Sequence, residues 1–210
     1  GAQTALGVIS RSIRDEDETL IHGNELLAEI GVAGDDPHDR TGYTLASVHG
    51  VLSRIGPPDG AGDLTAWEAF VGFLVLDALI GNTDRHQENW AALGRGRDRR
   101  LAPTFDHASS LGFQLDDEQR QERLVTADRN RTPEAYADRA RSRFERHPSP
   151  LQVAITALEE LPVARRDLWL ERCADIEQLV ATVDGVPQQR MSRPAREFAE
   201  RMLRRNHTRL

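Results

Sequence analysis

The segment from Leu64 to Ile80 constrains the fold of this chain more than any other stretch of its sequence. Apolar residues recur along it at the three- and four-residue spacing of a helix face, and its second half is apolar nearly all round. These residues are Leu64, Trp67, Phe70, Val71, Leu74, Val75, Ala78 and Leu79. We therefore predict a buried central helix, with Asp63 as its candidate N-cap and Gly81-Asn82 as its end.

Further helices are predicted on both sides of this segment, so the chain is expected to be mainly α. The stretch TALGVISRSI, from Thr4 to Ile13, is the exception and is predicted to be a short strand. The other predicted helices are Asn24 to Ile30, Leu45 to Ile55, Asp116 to Val125, Pro133 to Phe144, Pro150 to Leu161, Ala164 to Val183 and Pro194 to Asn206. In the last of these, a stripe of apolar residues is typical of a packing face. The stripe comprises Ala195, Phe198, Met202 and Leu203.

A different pattern follows the central helix. Asn89 to Leu93 and Arg100 to Phe105 are short strand-like runs, and the sequence GRGRDR between them is typical of a hairpin turn. A hairpin returns the chain to its starting point, so Asn89, at the start of the first run, and Asp106, just after the second, are expected to lie side by side. Asp84, in the loop that leads into the hairpin, is expected at the same end.

The residue types at this end of the hairpin suit phosphoryl transfer. Mg²⁺ prefers oxygen ligands and is usually held by one or two protein groups plus substrate phosphates, a role that Asn89 and Asp106 can fill. Asp84 is suited to accept a proton from an attacking hydroxyl and to orient it. His86 is the second candidate catalytic residue; the alternative is a group that orients Asp106 or the loop.

Other polar residues nearby are interpreted as structural. Asp77, inside the apolar helix, is predicted to pair with an arginine or to cap a loop. His107 is interpreted as structural, and Ser109 and Ser110 are expected to stabilise the turn after Asp106. His22, Asn24 and Glu25 indicate a fixed contact near the start of the helical part.

Composition excludes several classes of protein. The net charge of -7 argues against nucleic acid as the main partner. The longest apolar run, Ala69 to Ile80, is too short to span a bilayer, and the first 20 residues lack the pattern of a signal peptide. We therefore expect a cytoplasmic protein without a membrane partner. The single cysteine, Cys173, excludes an intrachain disulfide and a cysteine-based zinc site. Three basic clusters are interpreted as solvated faces: 95–100, 139–146 and 190–209.

Several stretches of the sequence closely resemble the HipA-like kinases (the HipA C-terminal domain), especially their CtkA-like bacterial members. They are LDALIGNTDRHQENW, LAPTFDHASSLG, IHGNELLAE and REFAERMLRRN. The Asp-to-Asn spacing of DRHQEN matches the catalytic loop of protein kinases, and Asp106 occupies the place of the metal-binding Asp of the kinase D-F-G motif. The resemblance covers nearly the whole chain, and the combination of both motifs is specific.

This resemblance implies a protein-kinase-like fold that uses ATP and Mg²⁺ to phosphorylate Ser or Thr of proteins. Some members of the family act as toxins in toxin–antitoxin pairs. By position, Asp84 takes the role of catalytic base, and Asn89 and Asp106 take the roles of metal and cofactor ligands. The implied site also includes Ser10, Arg11 and Ser12, near the hinge that contacts adenine. The implied partners are a protein substrate and either an antitoxin or a separate N-lobe.

The same resemblance implies a division of the chain. Residues 1–20 would be a remnant of the last N-lobe strand and the hinge, and residues 21–210 the helical C-lobe with a small β-hairpin at the active site. A complete kinase also carries a β-rich N-lobe with a lysine that grips ATP. All 27 basic residues of this chain are arginine. We therefore expect the chain alone, as a C-lobe fragment or half of a split kinase, to phosphorylate little or nothing.

Two other functions remain open on the sequence. Asp84, His86, Asp106 and His107 could together bind a transition metal for phosphoester hydrolysis, although Asn89 then has no role. Alternatively, the chain is a non-catalytic, kinase-like binding module. Tightly bound metal after purification would favour the hydrolase, whereas weak, nucleotide-dependent Mg²⁺ would favour the kinase.

Overall fold

The computed structural model describes residues 10–32, 40–96 and 98–210. This part of the chain is mainly helical, as predicted, and contains a three-stranded antiparallel sheet. The elements in chain order are β1 Thr19–His22, α1 Gly23–Ala28, α2 Leu45–Leu52, α3 Ala66–Ile80, β2 Ala91–Arg95, β3 Asp98–Leu101, α4 Asp117–Val125, α5 Pro133–Asp138, α6 Pro150–Glu159, α7 Val163–Arg172, α8 Ile176–Asp184 and α9 Arg193–Arg209.

Helix α3 is the predicted central helix, but its N-cap is Thr65 and not Asp63. The Thr65 hydroxyl accepts the N–H of Glu68 at 3.2 Å, and the Glu68 carboxylate accepts the N–H of Thr65 at 2.7 Å. This reciprocal pair satisfies two free donors of the first turn. The Asp63 carboxylate instead accepts a hydrogen bond from Arg165 at 2.8 Å. The helix ends at Gly81, as predicted, which adopts a left-handed conformation with φ of 62°.

The main core surrounds α3, which packs against α2, α6, α7 and α9. Phe70, Val71 and Leu74 are buried at its centre. Gly72 leaves room for the Trp169 ring of α7 to pack against α3, since a Cβ at position 72 would lie 2.4 Å from the ring. The Trp169 indole N–H donates to the carbonyl of Glu68 at 2.9 Å. The loop that follows α3 therefore begins at a helix whose position is fixed by packing on several sides.

The predicted hairpin is present as β2 and β3, with Ala92 opposite Leu101. The second strand ends earlier than predicted because Pro103 has no N–H to donate to the ladder. Strand β1 was not predicted; it pairs with β2, with Ile21 opposite Ala92. The predicted strand from Thr4 to Ile13 lies outside the described residues except for 10–13, which are not strand.

The C-terminal helices α4, α5 and α8 pack around α9, whose buried stripe includes Phe198, Met202 and Leu203 as predicted. The helix predicted from Ala164 to Val183 is two helices, because Asp175 caps a new helix by accepting the N–H of Gln178 at 3.1 Å. The helix predicted from Pro133 also ends early, at Asp138. Within the described ranges, no helix is long and apolar enough to cross a membrane.

Candidate active site

The loop after α3 is fixed by the side chain of Asn82. Its amide nitrogen donates to the Asp77 carboxylate at 2.8 Å, and its amide oxygen accepts the N–H of Asp84 at 3.0 Å. Asn82 is itself buried. A second tie comes from α9, where the buried Asn206 amide donates to the carbonyl of Leu79 at 3.0 Å. The end of α3 and the start of the loop therefore have one defined geometry.

Beneath the loop lies a buried ion pair between Arg85 and Asp77. The Arg85 Nε donates to Asp77 Oδ2 at 2.7 Å and Nη2 donates to Oδ1 at 2.9 Å. The side chains are only 2% and 4% exposed. This bidentate geometry compensates two charges that would otherwise be costly to bury. The prediction that Asp77 pairs with an arginine is confirmed.

Arg85 also holds the two ends of the hairpin against the loop. Its Nη1 donates to the carbonyl of Asn89 at 2.5 Å and to that of Phe105 at 3.4 Å, and Nη2 donates to the Thr104 hydroxyl at 3.0 Å. The Arg85 carbonyl accepts the buried hydroxyl of Tyr43 at 3.1 Å. One guanidinium thus brings the backbone of Asn89 next to the residue that precedes Asp106.

Asp84 and Asn89 are joined by a direct hydrogen bond. The Asn89 amide nitrogen donates to the carbonyl of Asp84 at 2.7 Å, which leaves the amide oxygen as the side-chain atom able to bind a cation. The Asp84 carboxylate accepts Nε of Arg143 at 2.9 Å on Oδ1 and the Ser109 hydroxyl at 3.4 Å on Oδ2. It lines an open cavity of about 290 Å³ together with Arg40, Tyr43, His86, Gln87, Glu88 and Arg143.

Asp106 lies on the exposed side of the site in a left-handed backbone conformation, with φ of 53°. No described residue hydrogen-bonds its carboxylate. The chain then returns to the loop, since the N–H of Thr83 donates to the carbonyl of Ser109 at 3.2 Å and the N–H of Leu111 donates to that of Ile80 at 2.9 Å. This return holds the segment after the hairpin beside Asp84.

The two histidines of the motif have different surroundings. His86 lines the cavity, and its Nδ1 accepts the N–H of Glu88 at 3.1 Å, so Nε2 is the nitrogen left for other contacts. The Nε2 of His107 is hydrogen-bonded to the Thr104 hydroxyl at 2.8 Å. Burial lowers the pKa of His107 below its ordinary value, and the nearby Arg85 lowers it further. These contacts fit the structural interpretation of His107.

The alternative four-ligand metal site is not assembled. In the ranges 10–32, 40–96 and 98–210, no three His, Cys, Asp or Glu side chains are grouped so that they could hold one metal ion. The Nε2 of His107 is directed to Thr104, whereas His86 lines the cavity beside Asp84. The structure thus gives no support to transition-metal binding by Asp84, His86, Asp106 and His107.

The three residues predicted near the adenine hinge are exposed, and the hydrogen bonds that they make to other described residues are local. The Ser10 hydroxyl donates to the carbonyl of Arg11 at 3.2 Å, and the Ser12 hydroxyl donates to that of Arg14 at 2.8 Å. Ile13 packs in a small cluster with Phe105, beside Asp106 in sequence. The segment therefore lies at the same face of the sheet as the end of the hairpin, and its contact with a nucleotide stays a prediction.

The unpredicted strand β1 leads into a fixed contact with the loop. His22 Nδ1 hydrogen-bonds the carbonyl of Glu88 at 2.8 Å, and the N–H of Gly23 donates to that of Trp90 at 2.9 Å. A Cβ on Gly23 would lie 2.2 Å from the Trp90 ring, so only glycine fits. Asn24 Nδ2 also reaches the Glu88 carboxylate, at 3.5 Å. The expected contact near the start of the helical part is therefore present.

Sequence reasoning missed Arg85, Arg143 and Arg40 as residues of the site. A buried acid in an apolar helix requires a cation, so the position of Asp77 indicated that a nearby arginine such as Arg85 would be buried with it. Arg143 follows Asp84 by 59 residues and lies between α5 and α6, where no local pattern connects it to the loop.

Comparisons with known proteins identify the kind of fold that this chain has and the family to which it belongs. The chain is similar to the crystal structure of a Helicobacter pylori proinflammatory kinase, CtkA, with a TM-score of 0.65, 22% sequence identity, and coverage of 93% of this chain and 69% of that one. At this identity the similarity shows a kinase-like fold. The model of the HipA-like C-terminal domain matches residues 15–166, and the chain belongs to that family. The comparison with curated proteins gives no match.

Proposed function

We propose that this chain carries the catalytic residues of an ATP-dependent protein kinase that phosphorylates Ser or Thr. The observation that carries the proposal is the Arg85 network, which fixes Asp84, Asn89 and the residue before Asp106 around one end of the hairpin. Membership of the HipA-like family and the kinase-like fold support it. In this proposal residues 21–210 form the helical C-lobe and residues 1–20 belong to the last N-lobe strand and the hinge.

Asp84 is the proposed catalytic base. Its carboxylate lines an open cavity, where a substrate hydroxyl can approach it, while its backbone is fixed by Asn82 and Asn89. Asp84 would orient the hydroxyl of a Ser or Thr and accept its proton as the phosphoryl group is transferred. The Asp84 carboxylate is paired with Arg143 in this structure. When a substrate binds, Arg143 must therefore move away or contact Asp84 together with the substrate hydroxyl.

Asn89 and Asp106 are the proposed ligands for Mg²⁺. The amide oxygen of Asn89 is available because its nitrogen is used by Asp84, and the exposed Asp106 carboxylate accepts no hydrogen bond from the described residues. An amide oxygen and a carboxylate fit the ligand preference of this ion, which is completed by water and phosphate oxygens. When bound, Mg²⁺ would neutralise charge on the ATP phosphates.

A lysine that grips ATP cannot come from these 210 residues, because the chain contains none. We propose that any such ammonium is supplied by another segment or by a separate N-lobe partner. An antitoxin is the alternative partner and would not supply this group. The protein substrate would approach from the cavity side of Asp84.

The test combines two measurements on the natural protein, which here means this chain together with the segment or partner that supplies the ammonium. ATP binding is measured with and without Mg²⁺, and transfer of the γ-phosphoryl group is measured on a Ser/Thr peptide library. We expect Asn89→Ala and Asp106→Asn to remove most of the gain in ATP affinity that Mg²⁺ gives. Asp84→Asn should preserve that gain but lower the transfer rate by at least about 100-fold, since it removes a general base.

Asp167→Asn is the control, because Asp167 lies on α7, which packs against the first half of α3, and pairs only weakly with Arg166 at 3.6 Å. Its binding and transfer should match the unmodified protein. Transfer that survives both Asp84→Asn and Asp106→Asn would contradict the assignment of the site.

A further inference from the structure

Two arginines, Arg40 and Arg143, face the Asp84 carboxylate in the same cavity. Arg143 reaches it directly through Nε. Arg40 is held beside it by a hydrogen bond between Nη1 and the His147 ring. Partial burial lowers the pKa of Arg40, the charge of Arg143 lowers it further, and Asp84 opposes both. The two cations therefore act on each other across a single carboxylate.

The remaining charges around the cavity do not neutralise this pair. Glu88 also lines this cavity, but its carboxylate accepts the amide of Asn24 on the β1 side of the loop. The recess on the other side of Arg40 is lined by Glu145 and Arg146, whose charges cancel. Among the described residues, the Arg40 and Arg143 side of the cavity thus holds two guanidinium groups against one carboxylate.

Arg143 has unused donors in this arrangement. Only its Nε is hydrogen-bonded to a described residue, and its side chain is 41% exposed. Nη1 and Nη2 are therefore available to an anion in the cavity that Arg143 lines, and a planar guanidinium has the fork geometry that binds carboxylates and phosphates. An anion that enters the cavity would meet donors already oriented by the bond to Asp84.

We propose that Arg40 and Arg143 form an anion-binding subsite for an acidic or phosphorylated side chain of the protein substrate. This inference rests on the proposed kinase function, because it takes Asp84 as the group that meets the substrate hydroxyl. It assigns a substrate class, namely segments whose Ser or Thr has an anionic neighbour. It also assigns Arg143 as a specificity-determining residue, whose guanidinium binds Asp84 through Nε and the substrate anion through Nη1 and Nη2.

Distance places the anion close to the phosphorylated residue. Two anions bound to opposite edges of one guanidinium lie roughly 6 to 8 Å apart, since each makes a hydrogen bond of about 2.9 Å. Side chains two residues apart on an extended peptide are spaced by about 6.7 Å. The preferred position is therefore two residues before or after the Ser or Thr.

The geometry favours a substrate anion over a phosphate of ATP. Asp84 Oδ1 faces Arg143, whereas Oδ2 faces Ser109, which lies on the segment just after Asp106. The proposed metal and nucleotide side is thus on the opposite edge of the carboxylate from the arginines.

The experiment measures binding of labelled peptides to the natural protein at low salt. Each peptide has one Ser, with Ala, Asp or phosphoserine placed two residues away. We expect the Asp and phosphoserine peptides to bind about tenfold more tightly than the Ala peptide, because they add charge-assisted hydrogen bonds. The ratio of the two affinities distinguishes a carboxylate substrate from a pre-phosphorylated one.

Variants decide whether the arginines are responsible. Arg143→Gln and Arg40→Gln should each bring the Asp and Ala peptides close to equal affinity. Arg166→Gln is the matched control, since Arg166 is also 41% exposed and paired with one acid, and it should keep the full ratio. Asp84→Asn should increase the ratio, because it removes a nearby negative charge that repels the substrate anion. Thermal unfolding of each variant verifies that it is folded.

Equal affinity of the three peptides for the unmodified protein would overturn the subsite. So would a fall of the ratio in Asp84→Asn, or a loss of ATP affinity in Arg143→Gln with the peptide ratio unchanged. These outcomes are separate from failure of the kinase proposal. Anion discrimination without phosphoryl transfer would contradict the kinase alone, whereas transfer without discrimination would contradict only the subsite.

Discussion

Arginine–carboxylate pairs occur in two very different regions of this molecule. Under the loop after α3, Arg85 and Asp77 are paired in the buried core. Along α9, arginines pair with acids of α5, of α8 and of α9 itself, and these pairs are partly or largely exposed. The α9 pairs among the described residues are Arg196–Asp184, Arg201–Glu134, Arg204–Glu177, Arg204–Glu200, Arg205–Asp138 and Arg209–Asp138. The same chemistry has a different consequence in each place.

The difference lies in what else holds each region. Helix α9 is fixed by the buried residues Phe198, Met202 and Leu203, so its charges surround an interface that apolar packing already stabilises. The loop after α3 has few apolar residues, and the side chain of Arg85 joins α3, the loop and both ends of the hairpin. The ion pairs on α9 therefore add little to the stability of the helix, whereas the Arg85–Asp77 pair is needed to hold the loop of the site in place.

The largest effect is expected for Arg85→Met. It leaves the Asp77 carboxylate buried without its partner and frees the carbonyls of Asn89 and Phe105, so we expect a loss of about 3–5 kcal/mol in the free energy of unfolding. Urea denaturation followed by circular dichroism measures this loss.

The double variant Asp77→Leu/Arg85→Met is the control for a buried charge. It removes both charges together, and should be more stable than Arg85→Met alone because no uncompensated carboxylate remains. If the single variant were as stable as the unmodified protein, the buried pair would be as accessory as those on α9.

An intermediate effect is expected at Asp138, which accepts hydrogen bonds from Arg205 and Arg209. The hydrogen bond from Arg205 is the main cause that holds the pKa of Asp138 below its ordinary value. A carboxyl whose pKa is lowered by folding stabilises the protein above its unfolded pKa, and this contribution is lost as the pH falls through the lowered value.

Asp138→Asn should therefore cost up to about 1 kcal/mol at neutral pH. The difference from the unmodified protein should shrink as the pH falls below about 4, the ordinary aspartate range. Denaturation midpoints at pH 7, 5 and 3 measure it. A difference that grew toward low pH would have the wrong sign for this ion pair.

The parts of the fold that were predictable follow from local patterns. Helix α3 and its end at Gly81 are encoded by apolar spacing and a left-handed glycine, and the hairpin by a glycine-rich turn between two short runs. Strand β1 was missed because it has only four residues and is defined by pairing with β2, about 70 residues later. The break before α8 was missed because a capping Asp175 interrupts an apolar pattern that otherwise continues.

The candidate site divides in the same way. Asp84, Asn89 and Asp106 were predicted to lie together because a hairpin connects the segments that carry them; the structure shows Arg85 bound to the carbonyls of Asn89 and Phe105, and their joint role stays a prediction. The pairing of the buried Asp77 with an arginine was predicted from its place in an apolar helix. Arg143 was not predictable, since its contact with Asp84 depends on how the segment between α5 and α6 packs, for which the sequence near it gives no periodic signal.

The smallest effect is expected for Arg204→Gln on α9. Arg204 donates to Glu177 at 2.6 Å and to Glu200 at 3.0 Å, but Glu177 is 70% exposed and water can replace either contact. We expect a change of less than about 0.5 kcal/mol, and one that becomes smaller still in high salt, which screens exposed pairs. The same urea titration at low and high salt measures it. A loss as large as that of Arg85→Met would mean that α9 depends on its charges as the site does, because the apolar stripe would then be insufficient to hold the helix.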